Sequence, residues 1–250
     1  MCPMNAFLKY QQVCIEKINQ IIAEQEAPME KAARLLADSV MTGRLHHIFG
    51  SGGHSNMATE EMCYRAGNLV PTNAIFDPAI SAGVGGLCIE RIPGAAARLF
   101  DFYHISQGDL MFIVNANGVN AMTIDAALEC RKRGVTSVAL TTPALSRAIP
   151  AGTSARHPSS QNLCDLADVV IDSYTPYGEG SVELEGMSTK VSPTSTITNL
   201  FIINAINARA CELMLESGFQ PPVWISINIP GGDESNRKFV EQYTGRLRYL

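Results

Sequence analysis

No run of about 18 consecutive apolar residues occurs in this chain, so no segment has the length a membrane-crossing helix needs. The N-terminus also lacks the long apolar core of a secretory signal, which predicts a cytoplasmic protein. No block of Lys and Arg is present and the formal net charge is −5, so nothing is there to neutralise a nucleic-acid backbone. The seven cysteines (2, 14, 63, 88, 130, 164 and 211) are scattered singly, without a C-x-x-C pair. That pattern fits small buried thiols of a reducing compartment and excludes a disulfide framework. No His, Cys or carboxylate cluster has metal-ligand spacing, so no metal and no cofactor is expected.

With 46% hydrophobic and 17% charged residues, the composition is that of a soluble globular protein. Residues 4–26 place Phe7, Leu8, Val13, Ile15, Ile18, Ile21 and Ile22 at helical spacing. Residues 28–42 repeat the pattern behind Pro28, read as a first-turn proline. The two segments predict an N-terminal helical hairpin over 1–43 whose apolar faces need a partner, either the rest of the chain (44–250) or a second subunit. A strand then ends in Gly50-Ser51-Gly52-Gly53-His54-Ser55, followed by the helix formers of 57–62. Leu69–Phe76 reads as a strand or extended connection, Ser81–Leu87 as a loop, and 89–103 as a helix entry and helix.

Leu110–Val114 is a continuous apolar run of the kind found in buried parallel strands. It ends in Asn115-Ala116-Asn117-Gly118-Val119-Asn120, ahead of a helix closed by Gly134. Val135–Leu140 and Val169–Ile171 are two more strands, and Val223–Ile227 reads as a last one. Residues 174–194 form a polar connection before a long helix that Pro193-Thr194-Ser195-Thr196 opens. The alternation predicts an α/β fold with a doubly wound parallel sheet, its ligand beyond the carboxyl ends of the strands.

Glycine turns that lead into helices can bind an anion, because bare backbone and the unpaired N–H groups of the first turn are both available. Ser55 could cap its helix or bind the same anion. Dinucleotide binding is disfavoured, because no acidic residue occupies a strand end about 20 residues after the glycines.

With these residues in view, the chain resembles the SIS (sugar isomerase) domain family. It is similar to the single-domain bacterial proteins related to phosphoheptose isomerases. The resemblance rests on GSGGHSNMATEE at 50–61, NGVNAMTID at 117–125, RHPS at 156–159, ADVVID at 167–172, PTST at 193–196 and PGGDESN at 230–236. It implies a five-stranded, flavodoxin-like three-layer fold, a homodimer or homotetramer, and a small anionic sugar as ligand. Gly50, Ser51, Gly52, Gly53, His54 and Ser55 then fall in a first anion loop. Asn115, Asn117, Gly118, Asn120 and Thr123 fall in a second, and Ser195 and Thr196 at a third contact. Asn115 and Asn117 stand where the family usually carries serines, so the anion is a phosphate bound differently or another group.

Aldose–ketose isomerisation through an enediol needs a base and an oxyanion donor. Glu61 is the preferred base, because phosphoheptose isomerases carry a similar Glu-Glu pair; Glu60 is its neighbour, and a solvated helix face is the plain alternative. His157 could act as acid or base and Arg156 could hold an anion, though a loop histidine bonded to a carbonyl explains the former as simply. Glu90, with Arg91, is the remaining candidate pair; Asp172 and Glu179 are possible ligand groups. A non-catalytic sugar-sensing module, or an etherase or lyase using the same enolising chemistry, remain as alternatives to an isomerase.

Overall fold

The computed structural model describes residues 4–80 and 89–250. Five parallel strands form the central sheet: β1 (His46–Gly50), β2 (Thr72–Ala74), β3 (Leu110–Val114), β4 (Thr136–Thr141) and β5 (Val169–Asp172). Their order is β2-β1-β3-β4-β5, with His46 beside Leu110 and Gly50 beside Val114. β1 and β3 are buried along their whole length. That is why β3 reads as an unbroken apolar run rather than an alternating one, while β1 carries two buried histidines ahead of Ile48 and Phe49. The strand order reverses between β1 and β3, and ligands of such sheets bind beyond the carboxyl ends at that reversal.

Helices cover both faces. One apolar cluster joins Ile48, Phe112 and Val138 to the second half of α1 (Ala6–Met41) and to the long helix α7 (Ser195–Glu216). The opposite cluster joins Phe49, Met111 and Ala139 to α3 (Ala95–Phe102), α4 (Ala121–Arg133) and α6 (Leu163–Leu166). Between these lie the short helices α2 (Asn56–Met62) and α5 (Pro143–Ala148), and α8 (Gly232–Tyr243) closes the chain.

Three expectations are corrected. The helical hairpin is one helix, α1, with Pro28 inside it. An interior proline removes a backbone bond and costs about 3 kcal/mol. Burial of Met29, Ala32, Ala33, Leu36, Ala37 and Val40 just beyond it offsets that loss. Val223–Ile227 is not a sheet strand: only an isolated antiparallel bridge joins Val223 to Leu69. Pro221 and Pro222 bring no ladder donors, and Trp224 packs instead in a satellite core with Val70, Tyr243 and Leu247. The connection 174–194 contains an antiparallel pair, β6 (Gly180–Val182) and β7 (Val191–Pro193). The loop expected at Ser81–Leu87 lies outside the described residues.

Candidate functional site

The tips of β1 and β3 are joined by side chains. Asn115, just past β3, donates through Nδ2 to the Ser51 carbonyl (3.1 Å) and accepts through Oδ1 from the Gly118 amide (2.7 Å). The Ser51 hydroxyl in turn hydrogen-bonds Thr123 Oγ1 on α4. Two glycines make the first turn possible. A Cβ at Gly50 would collide with the Ser55 carbonyl. Gly52 sits at φ +87°, and a Cβ there would occupy the place taken by the Glu90 carboxylate. Ser55 stands at the N-cap of α2 but makes no side-chain cap bond.

Above these tips lies a cavity of about 290 Å³. The first loop contributes Ser51, Gly52, Gly53, His54 and Ser55, and the second contributes Asn115, Ala116, Asn117 and Asn120. Ser195 and Asn199 of α7, Ala155, Glu179, Glu90 and Arg91 complete the wall. The starts of α2, α4 and α7 meet here, at Ser55, Asn120 and Ser195. Their dipoles make this end of the cavity positive, while Asn56 and Met57 of α2 and Met122 of α4 already give their N–H groups to the carbonyls of Gly52, His54 and Glu90. Arg91 is exposed and is the one Lys or Arg among the described lining residues.

Two carboxyl groups share the cavity. Glu90 is about nine-tenths buried, and burial pushes its carboxyl above the ordinary glutamate range, with Arg91 pulling partly the other way. Glu179 accepts from Asn117 Nδ2 at 3.2 Å. Asn199 is buried with its amide oxygen lacking a partner.

Other residues singled out in the sequence lie elsewhere. Glu61 points toward α7 and solvent, accepting from Asn204 (3.3 Å) and pairing with Arg65 (3.5 Å). Glu60 is exposed and accepts from Asn56 (3.0 Å). One and a half turns from the start of α2, neither side chain is directed back to the cavity. His157 Nε2 lies 3.3 Å from Asp125 Oδ1, and its Nδ1 bonds Ser159. The Arg156 guanidinium is consumed by the carbonyls of Ser146, Ile149 and Ser160 and by Asn162 Oδ1, at 2.7–2.9 Å. It clamps its own loop rather than an anion. Gly50 and Gly118 at the turns and Thr123 in α4 lie beneath the cavity without lining it, and the Thr196 hydroxyl contacts the Met57 sulfur (3.8 Å).

Asn199 was not singled out in the sequence. The available signal was its spacing, four residues after Ser195 and so on the same face of the helix. Among the described residues no group of three or more His, Cys, Asp or Glu could hold a metal ion, and no helix is long and apolar enough to cross a membrane.

A family model described as the SIS domain matches residues 9–142. A UPF0309 protein of Caldanaerobacter subterraneus subsp. tengcongensis is 37% identical over 241 residues, 94% of this chain and 96% of that protein. A UPF0309 protein of Brucella canis is 38% identical over 227 residues, 90% of each. Among solved structures, a phosphoheptose isomerase from Francisella tularensis covers 84% of this chain and all of its own, with a TM-score of 0.55 and 12% identity. The Vibrio vulnificus NanR protein complexed with ManNAc-6P covers 98% of this chain and 71% of its own, with a TM-score of 0.51 and 15% identity. At such identities these two likenesses are of fold.

Proposed function

This chain belongs to the SIS domain family, and from that premise we propose that it binds an anionic sugar and isomerises it between aldose and ketose forms. One observation carries the reading: a desolvated carboxyl, Glu90, lines the same cavity as the starts of three helices. The anion, a phosphate by preference, lies against the first-loop amides and the start of α7, with Arg91 as counter-charge. The ionised Glu90 takes a proton from the carbon beside the sugar carbonyl. Backbone N–H groups around the cavity stabilise the enediolate oxygen, the hydroxyl proton passes between the two adjacent oxygens, and Glu90 returns the carbon proton to the neighbouring carbon. A raised carboxyl suits this step, because the carboxylate is then the stronger base toward the proton on carbon.

The test is incubation with a panel of aldose and ketose phosphates in deuterated water. Interconversion, or deuterium appearing at C1 or C2, supports the proposal. Absence of both across the panel, with ligand binding intact, leaves the sensing alternative in its place. Glu90→Gln gives the same separation from the protein side, since an isomerase loses turnover and a sensor has none to lose.

The same reading pairs two copies of the chain along α1. Leu8, Ile15 and Ile22 recur every seven residues and are 49%, 49% and 51% exposed, an apolar seam with no cover in a single chain. Ile15→Glu would shift the chain to monomer in sedimentation; an unchanged mass would rule this seam out.

A further inference from the structure

The side chains of the second loop are short of free donors. Both ends of the Asn115 amide are spent, one on Ser51 and one on Gly118. The Asn117 amide nitrogen is held by the Glu179 carboxylate. An anion placed against this loop would meet a negative charge already in position. The carboxylate is held there by its backbone as well. Glu179 adopts φ +65°, a left-handed conformation unusual for a residue with a side chain, between Gly178 at φ +78° and Gly180. A Cβ at Gly180, the first residue of β6, would collide with the Lys190 carbonyl, so the backbone beside Glu179 is packed closely against the segment that leads into β7. Asn199, buried with its amide oxygen unpaired, lines the same cavity and also wants a donor.

The cavity is therefore polar in the directional sense. Helix starts and Arg91 receive negative charge, and Glu179 and the Asn199 oxygen receive hydrogen-bond donors. We propose that Glu179 determines specificity: the part of the ligand lying against the second loop carries hydroxyl or ammonium groups and excludes a second anion. The chain then accepts sugar monophosphates, including amino-sugar phosphates, and turns away sugar acids that also carry phosphate. This rests on the reading of the cavity as an anionic-sugar site.

The experiment is isothermal titration of the full chain with matched pairs: ribose 5-phosphate against 5-phosphoribonate, and glucose 6-phosphate against 6-phosphogluconate. In the wild type at least one aldose phosphate binds tenfold or more tightly than its acid. Glu179→Gln, which keeps the size and removes the charge, narrows that ratio severalfold. Equal affinity for both members of each pair overturns the role of Glu179 and leaves the anionic-sugar reading intact. An unchanged ratio in a folded Glu179→Gln protein overturns it likewise. Binding of none of the four compounds overturns both readings together. If that variant does not fold, Glu179→Ala supplies the same comparison.

Discussion

His46 gives the most quantitative prediction. It is the first residue of β1, 1% exposed, with Nε2 2.7 Å from Thr72 Oγ1 and Nδ1 without a partner. Burial, reinforced by the adjacent His47, pulls its pKa from 6.5 down to about 3. In the unfolded chain the same imidazole gains a proton below about pH 6.5. Between those values only the unfolded state binds the proton, so stability present above pH 6.5 is lost as the pH falls. The slope is about 1.4 kcal/mol per pH unit, so at pH 5 the loss is about 2 kcal/mol. His46→Gln retains hydrogen-bonding capacity but cannot titrate. Urea unfolding of both proteins at pH 7.5 and pH 5.0 gives the comparison, because the other groups cancel between them. The difference in unfolding free energy should move toward the variant by about 2 kcal/mol at the lower pH. A difference that stays constant would mean that the imidazole charges within the fold, and the account of β1 as a dry central strand would fail.

Gly52→Ala forces a left-handed residue to carry a side chain, at about 1–2 kcal/mol, and displaces the Glu90 carboxylate. Thermal unfolding should show the first effect and loss of turnover the second. Glu90→Gln should lower turnover about 10²- to 10⁴-fold with little change in ligand affinity. In the wild type, the proposed isomerisation should slow as the pH falls and Glu90 gains its proton, with the acid limb above the ordinary glutamate range. The variant should also be the more stable protein at pH 7, with that advantage vanishing at low pH where the native carboxyl is neutral. Arg156→Ala should cost about 2 kcal/mol in urea unfolding by releasing several carbonyls, while turnover per folded molecule is kept. A selective loss of ligand affinity would instead return Arg156 to the binding site.

The strands that build the site were legible because burial on both faces leaves an apolar run, as in Leu110–Val114, and because the glycine turn at 50–53 has no cheap alternative. What escaped was direction. Glu60 and Glu61 share a helix with the first loop, but helical geometry turns their carboxylates away. Arg156 has the charge an anion asks for, yet nearby carbonyls claim every arm that bonds, and no spacing rule reveals that. Glu90 and Glu179 enter from segments outside the two loops, so only the fold brings them to one cavity. Pro28 misled for a related reason: local chemistry favours a helix start, and packing on α7 and the sheet decides otherwise.

The cavity wall formed by Glu179, Ser195 and Asn199 comes from the last third of the chain, after all five central strands are already complete. A ribosome-bound intermediate could thus assemble the whole five-stranded sheet while having nowhere to hold a metabolite. Ligand would begin to stabilise the protein only once residue 199 and its helix had emerged. Until then, the sheet would depend on its own core for survival.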